Sequence, residues 1–168
     1  MRWLRAVKNR LTQNAEGLVP AAQLAAVSAC IPLLDRYPFV ASADPQWLDF
    51  LLSVGGVFVA LSELNHEAGS EAAKDEARST IERALVAWNA RGVTSIEDCT
   101  QFVDRTYDTL ARTAQHQSDP KWLFADSLGL WVVWNLLERA PESTAETNAA
   151  RAIGTILICD FKTWWKAT

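Results

Sequence analysis

The sequence predicts an all-α protein: one domain over residues 1–168, a bundle of six or seven helices containing an internally duplicated helical hairpin. Three observations predict it. Apolar residues recur at helical spacing along almost the whole chain, while the alternation of a strand is nearly absent. Helix-starting and helix-stopping residues punctuate these stretches in order. Finally, Asp44-Pro45-Gln46-Trp47-Leu48 recurs as Asp119-Pro120-Lys121-Trp122-Leu123, each opening a long apolar segment followed by a second helix-like stretch. Self-similarity at a fixed offset speaks first about architecture. The two copies cover about residues 44–91 and 119–166.

Taken in order, residues 2–14 put Trp3, Leu4, Val7 and Leu11 on one face of a short amphipathic helix, and Asn14-Ala15-Glu16-Gly17 reads as its stop. Pro20 suits the first turn of the next helix. Pro32, inside that pattern, predicts a kink or a break. Asp44 is a good N-cap with Pro45 at the first helical position, and this helix runs to about residue 67, stopped by Gly69. Ser70 caps a helix over 71–89 that ends at Gly92. Thr94-Ser95-Ile96-Glu97 is a capping box opening a helix to about residue 115. Asp119-Pro120 starts the next, which runs to about residue 139 before Pro141. Ser143-Thr144-Ala145-Glu146 is a second capping box, and the last helix reaches Trp165.

In each copy the helix after Asp-Pro is apolar on nearly all sides, which predicts a place in the middle of the bundle. Gly55-Gly56 lies within the first of them, where each glycine costs ~1 kcal/mol relative to alanine. Such residues predict close approach of another helix, with a tryptophan of the second copy filling the notch, in preference to room for a ligand. Features common to both copies (the Asp-Pro caps, Trp47/Trp122, Leu61/Leu136, Glu63/Glu138) read as scaffold.

Composition bounds the function. Apolar residues make up 49% of the 168 and charged residues 21%, a globular balance with enough chain to bury a core. The net charge is −4, with Arg2, Arg5, Lys8 and Arg10 in the first ten residues, so the body carries −8 from 12 basic and 20 acidic residues. An acidic body argues against nucleic acid, which needs clustered Lys and Arg. Cys30, Cys99 and Cys159 are widely spaced and read as reduced, mostly buried thiols, which with the lack of an N-terminal apolar run predicts a cytoplasmic protein. The cleanest apolar window, residues 50–61, is shorter than the ~20 residues of a membrane span.

Few residues offer chemistry. Glu63 and His66 project from one helix face in the E-x-x-H arrangement of di-metal bundles, but the second copy has no matching histidine and only His116 remains. Two histidines complete neither that site nor a three-histidine zinc site. No nucleophile–base motif or phosphate-cradling loop is present, so neither a catalytic set nor a cofactor is expected. Glu63, Glu67 and Glu71 form a row at four-residue spacing suited to a basic partner. Trp164 and Trp165 point ~100° apart on a helix, so only one of them packs inward. The other, with Trp3, is an interface anchor candidate, a role in which tryptophan is enriched.

The segment Val59-Ala60-Leu61-Ser62-Glu63-Leu64-Asn65-His66 resembles an uncharacterised family of bacterial all-helical proteins carrying a V-A-L-S-E-L-x-H helix followed by another helix. The resemblance covers about residues 50–90 and, more loosely, 88–138, and implies a bacterial helical bundle, with no activity to carry over. The expected function is a non-catalytic protein–protein interaction module: an adaptor, a homodimer or an antidote-type binder of a basic partner, with interface candidates Trp3, Glu67, Glu71, Trp164 and Trp165. A ligand or metal site at Glu63/His66 is the alternative. Peripheral membrane attachment through the basic N-terminal helix comes third.

Overall fold

Helix α1 (Ala15–Arg36) is the first element of the computed structural model, which describes residues 15–65, 70–72, 75–76, 79, 83, 96–113 and 119–161. It is followed by the single turn α2 (Pro38–Ala41), α3 (Pro45–Asn65), α4 (Ile96–Thr113), α5 (Pro120–Leu137) and α6 (Thr144–Ile156). A π-helical turn, Leu157–Phe161, continues α6. Among the described residues there is no strand, and the all-α expectation holds. Residues 71, 72, 75, 76, 79 and 83 are also helical and exposed, where a separate helix was expected.

The Asp-Pro starts form as the sequence predicts. Asp44 Oδ1 accepts from the backbone N–H of Gln46 (2.9 Å) and Trp47 (3.3 Å), and Asp119 Oδ1 accepts from Lys121 N–H (2.9 Å). Each aspartate thereby satisfies amides that lack an intrahelical acceptor. The box at the start of α6 is complete: Glu146 N–H donates to Ser143 Oγ (3.1 Å), and Ser143 N–H donates to Glu146 Oε2 (3.0 Å). Of the expected box at residues 94–97, Ile96 and Glu97 stand in the first turn of α4, while Thr94 and Ser95 lie outside the described residues, as does the expected helix at 2–14.

Two expectations fail along α1: Ala15, Glu16 and Gly17 are helical and not a stop, and Pro20 is the sixth residue of the helix, past its first turn. Of the kink or break expected at Pro32, the break is absent, because the helix continues through it. Pro32 and Ser28, the residue whose carbonyl loses its donor, are both exposed, so water replaces the missing bond. The chain turns later, at Tyr37. Its extended backbone (φ −128°, ψ 86°) suits a residue preceding proline.

Every residue from 50 to 61 is buried, which makes α3 the central helix. Helix α1 packs on it from one side, and α4, α5 and the π turn pack on others. By length and composition, Pro45–Ser62 is apolar enough to cross a membrane, contrary to the shorter reading above. Its window is 78% buried inside the bundle, so the core accounts for its hydropathy.

Helix α5 departs from the expectation of an all-round buried helix. Leu128, Trp131, Val132 and Val133 face the core, whereas Trp122 and Trp134 are 45% and 44% exposed. The tryptophans at equivalent positions of the two Asp-Pro starts therefore differ. Trp47 is buried, and its Nε1–H donates to the Asn135 carbonyl (3.1 Å), tying the start of α3 to the end of α5.

The tightest contact is between α5 and α6. A Cβ built on Gly129 would lie 1.7 Å from the Ala150 carbonyl oxygen, and one on Gly154 would lie 1.8 Å from that of Ala125. The helices therefore cross backbone to backbone at two Ala-x-x-x-Gly notches, which only small residues permit. Gly55 also serves close packing, but its notch is filled by Leu157 (2.9 Å from the Cβ position) and not by a tryptophan.

Candidate functional site

Of the residues singled out in the sequence, Trp3, Glu67, Trp164 and Trp165 lie outside the described residues, as does His66. Glu63 is in the last turn of α3. Glu71 is helical and exposed. No group of three or more His, Cys, Asp or Glu residues able to hold a metal occurs among the described residues.

The described structure instead brings forward the outer face of α5 and α4. Trp134 meets Phe102 of α4 edge to face at 5.8 Å, which holds the indole in place while leaving nearly half of it exposed. Twelve residues earlier on α5, Trp122 carries the Lys121 ammonium over its ring at 5.1 Å. Helix α4 is amphipathic: Ile96, Cys99 and Val103 face inward. Its outer side carries Glu97, Asp98, Asp104 and Asp108, together with Arg105 and Arg112. Asp98 lies one helical turn before Phe102 and therefore on the same stripe. Exposed, rigid aromatic rings make a surface suited to recognition, since aromatic side chains lose little conformational freedom when they are covered.

Sequence reasoning missed these two rings. Trp134 was assigned to a helix buried all round, and Trp122 to scaffold. A signal was available for Trp134, because Glu138 follows it by one turn on the same stripe and a carboxylate there marks an outward face. The signal for Trp122 is slight, because the pentapeptide around the buried Trp47 differs from its own only in Gln46 standing where Lys121 does.

Two of the three thiols, Cys30 and Cys99, are deeply buried. Burial pushes the Cys30 thiol up to about 12, with the Asp160 carboxylate adding to the effect. Burial and Asp98 raise Cys99 in the same direction. Both are protonated at neutral pH, and a protonated thiol is a poor nucleophile and a poor metal ligand. The strongest surface electrostatics lie at the α5–α6 turn. Arg139 binds Glu146 through both guanidinium nitrogens (2.7 and 3.2 Å), and Glu142 N–H donates to the same carboxylate (2.7 Å). These bonds, Arg139 first, lower the Glu146 carboxyl to about 2. The cluster has its charges matched and orders the turn.

The chain matches no known protein family, no curated protein and no solved structure. Its functional reading therefore rests on its own surface and core.

Proposed function

We propose that this protein is a non-catalytic, cytoplasmic interaction module that binds another protein, either a basic partner or a second copy of itself, through the outer face of α4 and α5. The observation that carries the reading is Trp134: a large ring held edge-on by Phe102 of α4 yet 44% exposed. Leaving that much aromatic surface in water is unfavourable, and covering it against a partner recovers roughly 25 cal/mol per Å² of apolar area. The exposed side of α4, with four acidic residues to two basic ones, favours a basic partner by steering encounter and by repelling acidic competitors.

Sedimentation velocity over a range of protein concentrations tests the self-association arm. Crosslinking in the native host followed by mass spectrometry tests the partner arm. The expected result is a dimer or a single crosslinked partner, weakened by Trp134→Ala and by added salt. A concentration-independent monomer with no crosslink sensitive to Trp134→Ala refutes the reading.

A further inference from the structure

Helix α1, the one-turn α2 and the start of α3 border a pocket of about 140 Å³ that is open to solvent on one side. Its walls are Val27, Cys30, Leu34, Leu48, Leu52 and Ile153, the last contributed by α6. The chain makes this space by turning twice in a few residues. Helix α1 ends at Arg36, α2 spans only Pro38–Ala41, and α3 restarts at Pro45. One helical turn is too short to close the angle between the two long helices. Ile31 borders the opening and is 55% exposed.

The lining selects a ligand class. Hydrocarbon dominates it, and none of the lining residues is basic, so nothing there neutralises an anion. The Cys30 thiol stays protonated, which removes covalent attack and thiolate–metal bonding from consideration. Asp49, at the edge, is the single carboxylate of the lining. The hydrocarbon walls give a water molecule few of the two to four polar partners it needs, so an apolar ring can displace poorly held water there.

We propose that this cavity is a binding site for a small, neutral, apolar molecule of about the size of a single aromatic ring. The site is separate from the α4–α5 face, and its existence does not depend on the interaction proposed there.

The test is a titration of the full-length protein with benzene, followed by methyl NMR and by thermal unfolding, with benzoate as a charged counterpart. The expected result is saturable shifts confined to the methyl groups lining the pocket, Ile31, Leu48, Leu52 and Ile153 among them, with a melting temperature that rises with benzene concentration. Benzoate should bind at least tenfold more weakly. Ala43→Phe, which puts a ring into the lining from the α2–α3 turn, should weaken benzene binding at least tenfold without lowering the melting temperature. Non-saturating shifts, shifts centred on another part of the bundle, or equal affinity for benzoate would overturn the proposal. So would unchanged benzene affinity in a folded Ala43→Phe protein. The native titration decides the matter by itself if that variant does not fold.

Discussion

Replacing Gly129 by alanine should destabilise the protein, although the same change in an exposed helix is favourable by ~1 kcal/mol. The added Cβ would lie 1.7 Å from the Ala150 carbonyl oxygen and 2.6 Å from its carbon, whereas real Cβ atoms keep about 3.0 Å or more. These are backbone atoms of another helix, so no rotamer change relieves the clash. Helices α5 and α6 must part by more than an ångström, and a gap of that size forfeits a quarter to a half of each dispersion contact along the crossing. Overpacking costs ~1–3 kcal/mol and more where the surroundings are rigid. With the top of that range and the propensity gain set against it, the net loss is about 2 kcal/mol, or roughly 4–8 °C in melting temperature for a chain of this size. Gly55→Ala is the internal control. Its nearest atom is the Cδ1 end of Leu157, at 2.9 Å. A leucine end can turn for ~0.5–1.5 kcal/mol, which the helix propensity offsets. Urea and thermal unfolding of both variants give the comparison. A Gly129→Ala protein as stable as wild type, or more stable, would refute the backbone-to-backbone crossing.

Three further outcomes follow from single residues. Glu138 ends α5 in the left-handed region at φ 57°. Such a conformation costs a non-glycine residue ~1–2 kcal/mol, so Glu138→Gly should raise the melting temperature, and a fall would show that the Glu138 side chain contributes more than the strain it bears. Glu146 titrates at about 2 in the folded protein against an ordinary 4.5. A depressed carboxyl contributes stability that is complete above the ordinary value and lost as pH falls from 4.5 toward 2, so wild type should lose more stability across that interval than Glu146→Gln. Parallel melting curves over that range would contradict the assigned contacts. Ser53 is fully buried with no hydrogen-bond partner for its hydroxyl, whereas the equally buried Ser127 donates to the Leu123 carbonyl at 2.7 Å. Ser53→Ala should therefore be neutral or stabilising by ~1 kcal/mol, and Ser127→Ala destabilising by a similar amount, as unfolding in denaturant would report.

How far the fold was legible depended on the range of the interactions involved. The Asp44, Asp119 and Ser143 caps were readable because capping is local, a side chain satisfying amides two or three residues away. The buried run of α3 was readable for the same reason, since an unbroken apolar stretch has no outward face to offer. Pro32 left a kink and a break both open, because the cost of an interior proline depends on whether solvent reaches the freed carbonyl, a property of the packed bundle. The Gly55 notch was located but assigned the wrong occupant, because Leu157 arrives from about a hundred residues away. The candidate site was the least legible part. Whether Trp47 or Trp122 is buried depends on which helices flank each copy, and the pentapeptides around them are nearly the same.

The crossing of α5 and α6 also has a consequence for ancestry. Ala125, Gly129, Ala150 and Gly154 form a paired constraint in which each glycine faces the carbonyl of the opposite alanine. Side chains elsewhere in the core can trade volume with their neighbours, and sequences drift through such exchanges. Backbone in contact with backbone has no volume to trade. A descendant that keeps this hairpin must keep small residues at all four places and the same chain length between them, even after the rest of its sequence has diverged. The spacing Ala-x-x-x-Gly, a capped turn, then Ala-x-x-x-Gly is therefore a signature by which distant kin of this protein can be sought when overall similarity has faded.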